Sequence, residues 1–269
     1  MTPSNPRFRR KSYRRSPPAI DFKKGVYLLP NILTSMSLFC GFYAIVATMQ
    51  QSYVLAAWVI ILAGVFDGLD GRVARMTHTT SKFGLEYDSL CDLVAFGVAP
   101  AVLSFGLVLN HFGRVGWLAA FLFCACGAMR LARFNTLSGS VPGNFFQGLP
   151  IPAAAGMLSA SVIFLDYYKL GDKTFLSFFL MAMMYGLAFL MVSTIRFRSF
   201  KTFDLRSRKP FSAVFIAILL IVIVAMEPET MLFCVGVLYI SSAIIEYIMY
   251  LARRRQPAET TIEATEEKK

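Results

Sequence analysis

The chain has 269 residues, of which 56% are hydrophobic and only 16% are charged, and its mean hydropathy is +0.57. Soluble globular proteins carry about 25% charged residues, so the composition excludes an ordinary soluble domain. The formal net charge is +11, but the basic residues cluster in the tails and in loops beside apolar runs. This is the distribution expected of cytoplasmic loops in membrane proteins. We therefore predict a membrane protein with no nucleic-acid partner.

Apolar runs of about 17–25 residues, each long enough to cross a hydrocarbon core of about 30 Å, follow one another along the chain. They predict an all-α polytopic membrane protein with about eight transmembrane helices, at residues 27–49, 53–76, 86–109, 115–134, 150–166, 174–193, 210–226 and 229–251. Pro150 and Pro152 predict the start of the fifth helix, since proline is tolerated in a first helical turn. The helices after residue 174 carry almost no ionisable residue, which predicts a packing scaffold or a surface for a partner helix.

The chain divides into three predicted parts. Residues 1–24 form a basic tail and residues 253–269 a polar tail, and both are predicted to be disordered because they lack apolar sequence. Residues 25–252 form the predicted transmembrane catalytic domain. The connections rich in lysine and arginine alternate with connections that carry few, and the basic set includes both tails. Both termini are therefore predicted to be cytoplasmic, in a membrane of the bacterial inner-membrane type.

Four aspartates interrupt the apolar sequence where the second predicted helix ends and the third begins: Asp67, Asp70, Asp88 and Asp92. A charge at that depth costs several kcal/mol unless it is paired or ligated. Each pair is three or four residues apart, so its members share one helix face. The connection at 77–84 lets the two helices run antiparallel. We therefore expect the four carboxylates to converge at the cytoplasmic end.

Converging carboxylates repel one another unless cations lie between them. Oxygen ligands favour hard ions such as Mg²⁺, Mn²⁺ or Ca²⁺, and two ions in one cluster can clamp a phosphoryl group during in-line displacement. Gly71 and Ala74 leave the helix surface bare for a phosphate-bearing ligand, and Arg75 is placed to reach a phosphate oxygen. The alternative is a buried network of ion pairs with nearby arginines, which would explain one or two of the acids.

The run from Asp67 to Asp92 reads D-x2-D-G-x2-A-R, eight residues, then G-x3-D-x3-D. It resembles the signature of the CDP-alcohol phosphatidyltransferases, and every fixed position is present. The resemblance implies two divalent ions, Mg²⁺ or Mn²⁺, held by Asp67, Asp70 and Asp88. It also implies that Asp92 contributes to the metal site and acts as the general base.

The same resemblance implies that Gly71, Ala74 and Arg75 line a pocket for cytidine diphosphate. It implies a six-helix transmembrane core, commonly a homodimer, with the active site near the cytoplasmic surface; two of the eight predicted helices would then be additions. Asn31 and Thr34 either contact the nucleotide or cap the first helix.

Three further stretches, at 29–42, 130–135 and 148–155, resemble the branch of this family that uses serine. The resemblance implies transfer of the phosphatidyl group of CDP-diacylglycerol to L-serine, with release of CMP. Arg130 and Arg133 place two guanidinium groups on one helix face, which suits a serine carboxylate, and Asn135 completes the predicted acceptor residues. Positive-inside anchoring is the alternative explanation for the arginines.

Two other functions stay open on the sequence. A sister enzyme would use choline, glycerol phosphate or inositol phosphate as the acceptor. An ion-coupled transporter would also have intramembrane carboxylates, but transporters commonly place them near the midplane between inverted repeats. Here the acids lie at one interface and no repeat is evident.

Overall fold

The computed structural model describes residues 22–77, 81–137, 145–170, 173–193, 195–198 and 226–266. Its helices are α1 Phe22–Met49, α2 Tyr53–Met76, α3 Lys82–Asp92, α4 Ala99–Leu107, α5 Arg114–Leu137, α6 Ile151–Tyr167, α7 Lys173–Val192 and α8 Pro228–Glu266. A π-helical segment, Leu93–Val98, joins α3 to α4, and a 3-10 turn, Leu109–Phe112, precedes α5. Two short antiparallel strands, β1 Phe145–Gln147 and β2 Arg196–Arg198, pair with each other.

Six helical segments in the described ranges are long and apolar enough to cross a membrane: Leu29–Met49, Tyr53–Met76, Lys82–Leu107, Arg114–Thr136, Thr174–Val192 and Pro228–Met249. They confirm the prediction of a helical, polytopic membrane protein. The predicted helix at 150–166 is present as α6, which has 17 residues. The predicted helix at 210–226 lies outside the described residues, so the total of eight stays a prediction.

The domain boundaries also stay predictions. Residues 1–21 lie outside the described residues, and the backbone of α8 runs past residue 252 to Glu266. The strand pair was not predicted, so the fold is helical apart from this short ribbon within the described chain.

Helix α6 lies at the centre of the bundle. Of its 17 residues, 11 are buried, as expected of a helix that is apolar on all sides. It starts directly after Pro150, with Pro152 in the first turn, which confirms the predicted helix start. Gly148 precedes it with φ +82°, and its N–H donates to the Ile195 carbonyl at 2.9 Å. This left-handed turn favours glycine, and it sets α6 against the ribbon.

Helices α1 and α2 form an antiparallel hairpin whose contact surface is rich in buried alanines. Small residues let membrane helices approach closely. Helix α1 also lies very close to the π-helical segment at Gly41, where a Cβ atom would lie only 2.5 Å from the Cα of Ala95. Since Ala95 lies in the π-helical segment, this backbone contact holds the chain that follows Asp92 against α1.

Candidate functional site

The turn between α2 and α3 brings the two aspartate pairs together. Helix α2 ends at Met76, and the hydroxyl of its C-cap residue, Thr77, donates to the Val73 carbonyl at 2.8 Å. Helix α3 begins after Ser81, whose Oγ accepts a hydrogen bond from the Gly84 N–H at 2.9 Å. A serine N-cap of this kind satisfies a free N–H group in the first turn. The two caps make a short connection between antiparallel helix ends.

Three of the four predicted aspartates form a tight cluster. One carboxylate oxygen from each of Asp67, Asp70 and Asp88 lies within 4.8 Å of the other two. Asp70 is only 4% exposed. Asp88 Oδ1 is buried and has no hydrogen-bond partner among the described residues. An unsatisfied buried oxygen is costly, and a cation between the three carboxylates would satisfy it. The cluster therefore fits a hard divalent ion, and it brings together three of the four carboxylates that were expected to converge.

Asp92 lies one helical turn beyond Asp88 and is 9% exposed. Its carboxyl group is a close neighbour of that of Asp67. Asp92 therefore lies at the edge of the cluster formed by the other three carboxylates.

Thr34, on α1, contacts the aspartate cluster directly. Its Oγ1 donates to Asp70 Oδ2 at 2.6 Å, and it also lies 3.1 Å from the Pro30 carbonyl oxygen. The alternative that Asn31 and Thr34 cap the first helix is wrong, because α1 begins at Phe22 and both residues lie inside it. The Thr34 hydroxyl orients Asp70 instead.

A cavity of about 410 Å³ opens beside the cluster. It is lined by Pro30, Asn31, Thr34, Asp70, Gly71, Ala74, Arg75, Ser81, Gly84, Leu85 and Asp88. All five residues predicted to contact the nucleotide are in this wall. A Cβ atom at Gly71 would meet no heavy atom within 4 Å, so the backbone there is bare, as expected. A ligand in this cavity would touch two of the clustered carboxylates.

Gly64 and Gly68 of α2 are four residues apart, a spacing of small residues that is typical of close packing between membrane helices. A Cβ atom at Gly68 would meet nothing within 4 Å, and the residue is exposed. Packing against another helix of this chain does not explain Gly68 in the described structure.

Arg130 approaches the cluster from α5. The half-buried guanidinium is close enough to Asp92 and Asp67 to interact electrostatically, and it lies 5.8 Å from the ring centroid of Phe134. No ion pair within 4.0 Å joins Arg72 or Arg75 to an acid in the part of the chain that the structure describes. Arg72 and Arg75 therefore do not neutralise the four acids through ion pairs within the described ranges.

The other two predicted acceptor residues lie near the end of α5. Arg133 follows Arg130 by one turn and is half-buried. The Asn135 amide donates to Ser89 Oγ at 3.0 Å and lies 3.4 Å from a Glu86 carboxylate oxygen. Asn135 is outside the lining of the cavity and joins α5 to α3.

Two contacts of the site were not expected from the sequence. Tyr239 of α8 lies near enough to Arg130 to interact with it electrostatically. That the helices after residue 174 serve as a packing scaffold or as a surface for a partner helix stays a prediction. Ser35 and Tyr87 share a hydrogen bond of 2.8 Å between α1 and α3. Neither tyrosine had a spacing or motif that would have indicated these contacts.

Comparisons with known proteins agree with this geometry. The sequence pattern of the CDP-alcohol phosphatidyltransferase family matches residues 27–192. A Helicobacter pylori protein named CDP-diacylglycerol–serine O-phosphatidyltransferase is 43% identical over 180 residues, which cover 65% of this chain and 74% of the relative. A Methanocaldococcus jannaschii protein of the same name is 34% identical over 223 residues, covering 83% and 96%. An archaetidylserine synthase from Methanothermobacter thermautotrophicus is 36% identical over 171 residues, covering 63% and 69%.

Proposed function

Because this chain belongs to the CDP-alcohol phosphatidyltransferase family, we propose that it transfers the phosphatidyl group of CDP-diacylglycerol to L-serine, giving phosphatidylserine and CMP. The observation that carries this proposal is the cluster of three carboxylates in the wall of an open cavity. Serine as the acceptor is supported by the names of the relatives and by Arg130 near the cluster.

The proposed cofactor is a pair of divalent ions, Mg²⁺ or Mn²⁺, held by Asp67, Asp70, Asp88 and Asp92. Among the described residues, the Asp88 oxygen has no hydrogen-bond partner and the cluster contains only carboxylates, which supports hard cations. Such ions, when bound, neutralise a diphosphate and stabilise the charge that develops on its leaving group.

The chain's own residues then have distinct tasks. Asp92 accepts the proton of the serine hydroxyl. The serine oxygen forms a bond to the lipid-side phosphorus, the bond from that phosphorus to the CMP oxygen breaks, and CMP leaves. Arg75 lies in the cavity wall and binds a phosphate oxygen, while Gly71 and Ala74 let the nucleotide lie against the backbone. Arg130 faces the carboxylate of the acceptor.

The proposed setting is the cytoplasmic face of a bacterial-type inner membrane, with both termini in the cytoplasm. Its support is the excess of basic residues on the side of the chain that carries the aspartates. A homodimer built on a six-helix core, with the remaining helices as additions, is the proposed assembly by resemblance to the family.

The test uses the purified full chain with CDP-diacylglycerol and Mn²⁺ and measures CMP release with L-serine, choline, glycerol phosphate and inositol phosphate. We expect CMP release with serine alone, and none from Asp92→Asn. Release with another alcohol would refute serine as the acceptor. Solute flux in proteoliposomes without CMP release would refute the transferase reaction and favour a transporter.

A further inference from the structure

A second cavity, of about 550 Å³, lies far from the aspartates. Its wall combines the turn between α1 and α2 with the ends of α4 and α6 and the start of α7. Tyr53, in this wall, and Asp70 are about 25 Å apart along α2 at ~1.5 Å per residue. This distal cavity therefore opens near the opposite face of the membrane.

The wall of the distal cavity is amphipathic. Gln51, Ser52, Asp166 and Lys169 supply its polar part, and Tyr53 and aliphatic side chains supply the rest. Asp166 and Lys169 are exposed, and neither side chain has a hydrogen bond or ion pair with another residue in the described ranges. One acid and one base are thus available to a ligand that carries both charges.

An apolar groove of about 410 Å³ adjoins the distal cavity. Four phenylalanines line it, and its remaining wall, Leu165 and Leu170, is shared with the distal cavity. Two of the phenylalanines, Phe164 and Phe233, are stacked with centroids 4.5 Å apart. This aromatic groove has the dimensions and polarity that suit a hydrocarbon chain. The polar wall of the distal cavity suits a lipid headgroup, and the adjoining aromatic groove suits its acyl chain.

The polar rim is built from two strained positions. Gln51 has φ +61° and Lys169 has φ +51°. Each follows a helix end closed by a Schellman pair of hydrogen bonds: for α6, Lys169 N–H to Asp166 O at 3.2 Å and Leu170 N–H to Leu165 O at 3.1 Å. Glycine is the usual residue at this position, where it fits without steric cost. Here two helix ends at the same cavity carry Gln51 and Lys169 in place of glycine. Strained positions of this kind often mark functional sites, which indicates that these two side chains have a binding role.

We propose that the distal cavity and the aromatic groove together bind one aminophospholipid. The Lys169 ammonium binds the phosphate, the Asp166 carboxylate binds the ammonium of the headgroup, and Gln51 donates to an ester oxygen. One acyl chain lies in the aromatic groove. The site does not depend on the proposed transferase reaction, since it shares no residue with the aspartate cluster or its cavity.

The test is native mass spectrometry of the delipidated full chain titrated with phosphatidylethanolamine or phosphatidylglycerol. We expect one phosphatidylethanolamine to bind per chain, and phosphatidylglycerol, which lacks the ammonium, to bind about tenfold more weakly. Loss of one charge-assisted hydrogen bond corresponds to about a tenfold change in affinity. Lys169→Gln and Asp166→Asn should each weaken phosphatidylethanolamine binding by about that factor.

The matched control is Arg114→Gln, which removes an exposed charge on the same side of the bundle outside the cavity and should leave binding unchanged. Lys169→Gly should weaken binding while raising the Tm of the lipid-free protein, because glycine relieves the left-handed backbone. Equal affinity for the two lipids in the wild type would overturn the proposal. So would unchanged phosphatidylethanolamine binding in Lys169→Gln and Asp166→Asn.

Discussion

Replacing Thr34 with valine should weaken divalent-ion binding while leaving the fold intact. The Thr34 hydroxyl donates to Asp70 Oδ2 at 2.6 Å, and Thr34 is only 5% exposed. Valine has nearly the same shape, so the main loss is one hydrogen bond to a carboxylate. Such a bond contributes about 1.5–3 kcal/mol. Partners that orient metal ligands typically change metal affinity by about 10–100-fold.

We therefore expect the dissociation constant for Mn²⁺ to rise about 10–100-fold in Thr34→Val. Isothermal titration calorimetry in detergent measures it directly, and the Mn²⁺ dependence of CMP release gives an independent value. At saturating Mn²⁺ most of the activity should return, because the hydroxyl orients a ligand and is not one itself.

Two variants make this measurement decisive. Thr34→Ser keeps the hydroxyl and should bind Mn²⁺ nearly as the wild type does. Thr48→Val removes another buried hydroxyl of α1, which donates only to the Ala44 carbonyl of its own helix at 2.8 Å, and should leave Mn²⁺ binding unchanged. If Thr34→Val binds Mn²⁺ with the wild-type affinity, Thr34 does not orient the cluster. Equal losses in both valine variants would show a general effect on α1 and would also refute the reasoning.

Four further changes test other parts of the site. Asp92→Asn should abolish CMP release while the Tm stays near the wild-type value; turnover with serine in this variant would refute the general base. Gly71→Leu should fill the cavity, and the KM for CDP-diacylglycerol should rise at least about tenfold while calorimetry shows unchanged Mn²⁺ binding. Tyr239→Phe should raise the KM for serine more than it lowers kcat, because the hydroxyl lies beside Arg130; an unchanged KM would contradict this. Gly41→Ala should cost about 1–3 kcal/mol of stability, measured as a lower Tm, since its Cβ has no room against the π-helical segment.

The aspartate cluster could be predicted because its geometry is local. Two pairs at spacings of three and four residues, on helices joined by a short turn, must lie near one another once the helices are antiparallel. The same spacing along α2 predicted that the backbone at Gly71 is bare, and a Cβ atom there would indeed meet no heavy atom within 4 Å. Residue spacing along two neighbouring helices is therefore enough to predict those parts of the site that these two helices form alone.

The contacts of Thr34 and Tyr239 depend on how distant helices pack, and spacing carries no information about that. Thr34 is 36 positions before Asp70, and its role became visible only once α1 was placed against α2. Tyr239 belongs to the apolar span Pro228–Met249 of α8, and nothing in the sequence around it indicated an interaction with Arg130. Hydrophobic periodicity indicates which face of a helix is buried, but not which polar group it meets there.

The π-helical segment shows how a local feature nevertheless sets the site. Pro100 lacks an N–H group, and its ring would collide with the carbonyl four residues earlier in an α-helix. The wider turn before it, in which the Ala99 N–H bonds to the Val94 carbonyl, accommodates the ring. Within this segment Ala95, Phe96 and the glycine that follows are all buried. Since Asp92 is the last residue before this segment, its position depends on the contact of Ala95 with Gly41. Gly41→Ala should therefore lower activity together with stability, whereas Asp92→Asn separates the two.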